Sequence, residues 1–290
     1  MKTVKRVSLI AIETLGFLLV SHSSSLGADD AVSAATPPPG YQLVWADEFS
    51  KDPDGLPDPT KWIYEEGFIR NHEAQYYTKE RKENARVENG QLIIEARREN
   101  FPNPSSKGPP MAGYTSAALE TRGKADWLYG RIEVRAKLPA GKGVWPGIWM
   151  LGSDENQPGI GWPKCGEIDI MELVGKQPGV IHGSIHYFRG GKKVTETKEL
   201  HVAHPEADFH VYAAEWTPDR IDIFVDGTKY NTFAVSKADN DGQNPFRKPQ
   251  FLLLDLALGG GLGGEIEDSI LPQRMVVDYV RIYQKSAGYP

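Results

Sequence analysis

Apolar and polar residues in this chain alternate in short runs and do not recur every three or four positions. Residues 92–96, 131–136, 180–187, 209–216, 221–225, 251–256 and 275–283 are short and rich in strand-forming residues. Turn residues bound them: Asn89-Gly90, Thr217-Pro218-Asp219 and Asp226-Gly227. An Asn-Gly or Asp-Gly pair takes positive φ readily and closes a two-residue hairpin. No long stretch shows a capped apolar period of 3.6 residues. Many short strands with few helices predict an all-β fold, a sandwich of two sheets. Residues 100–113 hold four prolines and two glycines, and are read as a surface loop between strands.

One run breaks the alternation. In Gly166-Glu167-Ile168-Asp169-Ile170-Met171-Glu172, three carboxylates fall within six positions. On a strand, Glu167 and Asp169 share one face, and Ile168 and Ile170 the other. Glu172 is out of phase by one residue. A β-bulge at Ile170-Met171 would return it to the face of the other two. Three like charges on one face oppose folding, because at least one must lose water or take a proton. Such a cluster fits the paired carboxylates of glycosidic bond cleavage. It also fits the hard oxygen ligands of calcium. Trp145, Trp149 and Trp162 lie just upstream and favour sugar, because an indole covers the apolar face of a sugar ring. These three are the expected stacking platforms. Trp45, Trp62, Trp127 and Trp216 are read as packing. Asn71, Glu73, Gln75 and Tyr77 are expected to alternate along one strand face as a polar wall for sugar hydroxyls, Asn71 foremost.

The remaining composition narrows the classes. At 290 residues the chain can form one large β domain. Lys2, Lys5 and Arg6 precede an apolar stretch over residues 7–20, followed by small residues at Ser25-Leu26-Gly27-Ala28. That stretch is shorter than the roughly 20 residues a membrane span needs. Residues 1–27 are therefore expected to be a signal peptide, giving a secreted protein, extracellular or periplasmic, with no membrane span after cleavage. Residues 28–40, rich in Ala, Ser and Pro, form the expected disordered leader. The net charge of −6 would fall to −8 once residues 1–27 are gone. An acidic surface disfavours nucleic acid. Cys165 is the single cysteine, so no internal disulfide forms, and it is read as a packed thiol. A monomer is expected.

The Glu-Ile-Asp-Ile-Met-Glu run resembles the catalytic strand of glycoside hydrolase family 16, in its laminarinase-like branch of endo-β-1,3-glucanases. Further segments are similar to that family in the same order. They are Trp45-Ala46-Asp47-Glu48-Phe49, residues 71–78, residues 129–137, residues 145–151, Glu215-Trp216-Thr217-Pro218 and residues 277–283. The resemblance implies a bent jelly roll over residues 41–285 with a concave substrate cleft. It implies a retaining enzyme on a polysaccharide, with Glu167 as nucleophile, Glu172 as general acid/base and Asp169 modulating both. His186, in Gly183-Ser184-Ile185-His186-Tyr187, is implied to contact the acid/base region. The substrate implied is β-1,3 or mixed β-1,3/1,4 glucan. A same-family galactanase such as an agarase, and a non-catalytic glucan-binding sandwich, are the alternatives. No cofactor is implied for catalysis. A structural calcium ion is, with Glu48, Gly90 and Asp278 at the matching positions, the first two through backbone carbonyls.

Two departures from the branch bear on specificity. Ala118 stands where an arginine is common, so a cleft cation is expected to be missing. Asp255 stands where an asparagine is common and is expected to add a charge near the cleft. Residues 259–264 hold five glycines and are read as a flexible loop at the cleft rim.

Overall fold

The period-two runs become strands in the computed structural model, which describes Met1, residues 37–50 and residues 55–287. In chain order these are β1 (Tyr41–Asp47), β2 (Ile63–Tyr64), β3 (Gln75–Tyr77), β4 (Ala85–Glu88), β5 (Gln91–Pro102) and β6 (Met111–Ser116). Then follow β7 (Ala118–Glu120), β8 (Gly130–Lys137), β9 (Val144–Gly152), β10 (Glu167–Leu173), β11 (Val180–Arg189) and β12 (Lys192–His201). The last are β13 (His210–Trp216), β14 (Arg220–Val225), β15 (Thr228–Ala234), β16 (Gln250–Leu258) and β17 (Gln273–Lys285). The expected signal peptide and most of the leader lie outside the described residues. Among the described residues no helix is long and apolar enough to cross a membrane.

The strands form two sheets. The larger runs β15-β14-β13-β8-β17-β5-β6-β3, with β1 also paired to β17 and β4 to β5. The smaller runs β12-β11-β10-β9-β16-β7-β2. Alternation sorts each strand's side chains between the sandwich interior and the outside. Ile132, Val134, Val280 and Ile282 of the large sheet share one fully buried cluster with Ile148, Ile168, Ile185 and Leu254 of the small sheet. This is the two-sheet jelly roll the sequence implies.

Both Asx-Gly hairpins form. Asn89 and Gly90 have φ of 52° and 74°, and Asp226 and Gly227 have 49° and 76°. Residues 103–110 link β5 to β6, so the proline-rich segment joins neighbouring strands. The structure adds strands that the apolar pattern did not single out, chiefly β9, β12 and β15. Most of β12 is exposed, with Thr and charged residues in place of an apolar face. The expected run of Asn71, Glu73, Gln75 and Tyr77 along one strand face is corrected. Asn71 and His72 form a turn with φ of 56° each, and the strand begins only at Gln75. Asn tolerates that left-handed conformation better than most residues.

β10 is central to the small sheet, between β9 and β11. Its register slips where the sequence places a bulge. Asp169 faces Ser184 and Glu172 faces His182, so three steps on β10 match two on β11. The same slip appears against β9, where Asp169 faces Trp149 and Met171 faces Ile148. Ile170 and Met171 are both fully buried, and Glu172 returns to the outer face. The inner face of β10 is thus structural. Ile168→Ala is expected to lower unfolding stability by about 2–5 kcal/mol, measured by denaturant titration.

Candidate active site

A cleft of about 830 Å³ runs over the outer face of the small sheet. β10 supplies Glu167, Asp169 and Glu172 to it, and β11 supplies His186, Ser184 and His182. These pair strand to strand, Glu167 with His186, Asp169 with Ser184 and Glu172 with His182. β12 continues the rows with Thr195, Thr197 and Glu199. The bulge shortens the span between the two glutamates, since five steps along β10 match four on each neighbour. That removes one strand step, about 3.3 Å.

The tryptophans do more than line the cleft. Trp145 Nε1 donates to Glu172 Oε1 at 2.9 Å, and Trp162 Nε1 donates to Glu167 Oε2 at 2.8 Å. Each glutamate is therefore oriented by one indole. Trp162 is 48% exposed, with Lys193 Nζ 4.9 Å from its ring. Trp149 differs from the expected open platform. It is only 9% exposed, and the Arg70 guanidinium lies 4.9 Å over its ring. Its indole donates to Asp255 Oδ1 at 2.7 Å.

His186 Nε2 lies 2.9 Å from Asp169 Oδ2 and 3.6 Å from Glu167 Oε1. The contact with Asp169 is off the line of a straight hydrogen bond. Nδ1 sits 2.8 Å from the Thr195 hydroxyl. With Thr195 donating to Nδ1, the ring proton sits on Nε2 and faces the carboxylates. His182, which no sequence motif marks, also lines the cleft, opposite Glu172. Its Nε2 is buried without a partner, and burial holds the ring below its usual basicity. The signal for it was present: His182, Ser184 and His186 are spaced by two.

Burial dominates the electrostatics. Glu172 is pushed up to about 7 by desolvation, with the Glu167 charge adding and the Trp145 bond opposing. Glu167 is pushed up to about 8, first by burial and then by Asp169, against His186 and Trp162. Asp169 is driven well above the usual carboxylate range by burial, then by Glu172. Glu167 and Asp169 lie close enough to influence each other's titration, and buried side by side they do not both stay charged, so the pair holds a proton near neutral pH. Glu167, Asp169 and His186 also bring ligand atoms within 4.8 Å of one another, a spacing a metal ion could use. The Cys165 thiol is buried and pushed up to about 12, so it stays a packed thiol.

A second acidic group lies across the cleft. Asn71 Nδ2 donates to Glu73 Oε1 at 3.1 Å, and Gln75 Nε2 donates to Glu73 Oε2 at 2.8 Å. Burial, then the Asp255 charge, pushes Glu73 up to about 7. Asp255 is buried and accepts from Tyr77 as well as Trp149, at 2.7 Å each. It orients a tryptophan and does not lie open in the cleft. The expected missing cation is also corrected. Ala118 has no exposed surface, and its carbonyl accepts from Glu65 N. Glu65 in turn pairs with Arg70, which supplies the cleft cation. Nothing in the local sequence pattern marked Arg70. The glycine segment does reach the rim, where Gly261 N donates to Asn71 O at 2.9 Å.

Glu48, Gly90 and Asp278 come from neighbouring strands and turns away from the cleft. β1 pairs Asp47 with Val280, and a Cβ on Gly90 would lie 3.9 Å from Ser50 Cα. The Asp278 carboxylate already accepts from Arg135 at 2.6 Å, and Glu48 accepts from Arg281 Nε and Nη2 at 2.8 Å each. As arranged, the set offers calcium one carboxylate that Arg135 already neutralises, a poor fit.

Comparison with known proteins agrees with this geometry. The family model for glycosyl hydrolases family 16 matches residues 72–280. A β-glucanase of Rhodothermus marinus is 45% identical over 271 residues, covering 90% of each chain. A non-specific endo-β-1,3(4)-glucanase, solved with 1,3-β-D-cellobiosyl-glucose at its active site, is 45% identical with a TM-score of 0.77, covering 86% of this chain and 96% of that one. A Zobellia galactanivorans protein solved with laminaritriose and laminaritetraose is 35% identical with a TM-score of 0.75, covering 84% and 99%. The match spans both sheets and the acidic strand at the cleft, and the chain belongs to glycosyl hydrolases family 16.

Proposed function

We propose that the chain is an exported, monomeric, retaining endo-β-glucanase acting on β-1,3-glucan or mixed β-1,3/1,4-glucan. The observation that carries the reading is the bulge that gathers Glu167, Asp169 and Glu172 on one cleft face. Identity of 45% to a β-glucanase over nearly the whole chain supports the substrate. All the reacting groups are side chains, so no cofactor enters the chemistry.

Glu167 is the nucleophile. When the shared proton sits on Asp169, Glu167 is an anion steadied by Trp162 and facing His186. Its carboxylate attacks the anomeric carbon, while Glu172 gives its proton to the leaving oxygen. Glu172 then takes a proton from water, and the resulting nucleophile releases the sugar from Glu167 with net retention. Burial and the Glu167 charge keep Glu172 protonated before attack, while Asp169 holds the proton that would otherwise quench Glu167. Trp145, Trp162 and Asn71 line the path of the glucan.

The first test is release of reducing ends across laminarin, lichenan, agarose and carrageenan. Turnover of laminarin or lichenan is expected. Turnover of agarose with none on either glucan would overturn the substrate.

Glu167→Gln is expected to lower kcat by more than about a hundredfold with oligosaccharide binding kept. Glu172→Ala is expected to spare substrates with activated leaving groups, with azide partly restoring the rate. Equal losses on both substrate types, without azide rescue, would reassign the acid.

The raised carboxyl of Glu172 also has a sign in stability. The folded state binds a proton that the unfolded chain releases above about 4.5, so stability is lost as pH rises toward 7. Glu172→Gln removes that liability. Between about pH 5 and about pH 8 its stability is expected to gain on wild type by about 1–3 kcal/mol. Thermal melts across that range check this, and parallel curves would count against a proton held on Glu172 by burial. Wild-type activity is expected to decline through about pH 7, as Glu172 loses its proton.

A further inference from the structure

A bulge leaves backbone groups outside the regular ladder, and buried groups of that kind need another partner. At the β10 bulge the partner comes from the opposite sheet. The Tyr230 hydroxyl lies 3.3 Å from the Ile170 carbonyl oxygen and donates to it. Tyr230 belongs to β15, the edge strand of the large sheet. Its own backbone explains the reach. Ile223 pairs with Asn231 and Phe224 with Lys229, so Tyr230 is an extra residue in β15. One bulge thus aims a side chain at another.

The surroundings are cut to fit. A Cβ at Gly183 would lie 2.5 Å from the Tyr230 hydroxyl, so only glycine lets the ring pass β11. The next residue, Asn231, donates to the Gly183 carbonyl at 2.9 Å. Burial, with the Asp169 and Glu172 charges, keeps the phenol protonated and able to donate.

We propose that Tyr230 is a positioning residue for catalysis: its hydroxyl holds the bulge at Ile170 and so keeps Glu172 on the cleft face. The proposal rests on the reading of Glu172 as the acid. It adds a residue outside the cleft, on the other sheet, whose work is done through the backbone.

Tyr230→Phe removes the hydroxyl alone. Thr232→Val serves as control, because Thr232 donates to Asp222 within the large sheet at 2.7 Å. Hydrogen exchange of the peptide spanning β10 reads the bulge directly, and kinetics on glucan read its use. For Tyr230→Phe, exchange across β10 is expected to quicken and kcat to fall about ten- to hundredfold, as a small misplacement of a catalytic group can do. KM is expected to stay within about twofold, and the loss to be smaller on an activated aryl glycoside. Thr232→Val is expected to change none of these. Unchanged exchange and kcat in Tyr230→Phe, or the same changes in both variants, would overturn the proposal. Glu172→Ala measured alongside separates the two claims. If it loses equally on both substrates, the acid assignment fails, and exchange alone decides whether Tyr230 holds the bulge.

Discussion

The structure around the cleft is governed by one constraint: three carboxyl groups are buried side by side, where they cannot all be charged. Desolvation is the largest influence on each of Glu167, Asp169 and Glu172. The fold answers with groups that differ from one carboxyl to the next. Glu172 receives an indole N–H from Trp145, and Glu167 one from Trp162. Asp169, the most enclosed of the three on its strand, is coupled electrostatically to its neighbouring carboxyls and lies beside His186. Different partners on chemically similar groups are how one strand can hold both a base and an acid near neutral pH.

Sheet geometry makes those partners dependable. β11 places His186, Ser184 and His182 opposite the three acids, and β12 backs them with Thr195, Thr197 and Glu199. The Ser184 and Thr197 hydroxyls lie 2.9 Å apart, and Thr195 holds His186. A site built across three paired strands cannot shift one side chain without straining a ladder, which keeps catalytic groups in place. The rows also give β12 its role, although its composition looks like solvent-facing surface.

Across the cleft, the same burial problem is met with a cation. Arg70 pairs with Glu65, covers Trp149 and lies near Asp255 and Glu73. Asp255, at the cleft floor, accepts hydrogen bonds from Tyr77 and Trp149 that hold both side chains in place. A cation was expected to be missing because of Ala118, yet Arg70 brings one to the cleft from another segment. Arg70 lines the cleft while Ala118 is buried, so inspection of that one position misses the cation.

The sequence by itself determined the strands with apolar alternation, the two Asx-Gly hairpins, the bulge in β10 and the gathering of its three carboxylates on one face. Each is a local property: a period of two, a pair of residues tolerant of positive φ, or one residue out of phase. His186 was legible only through the family resemblance of Gly183-Ser184-Ile185-His186-Tyr187, and the pairing of β11 with β10 is what puts it beside the acids. Tertiary structure alone decided the rest. β12 shows no clear apolar period because its inner face, where Val194 and Leu200 meet the core, also holds Glu196 and Lys198. Arg70 and Asp255 meet only because β16 pairs with β7 and the β2–β3 connection folds over them. Tyr230 reaches the catalytic bulge only because the second sheet packs beneath it, sixty residues further along the chain. Local pattern says which way a side chain points, whereas only packing says what it meets.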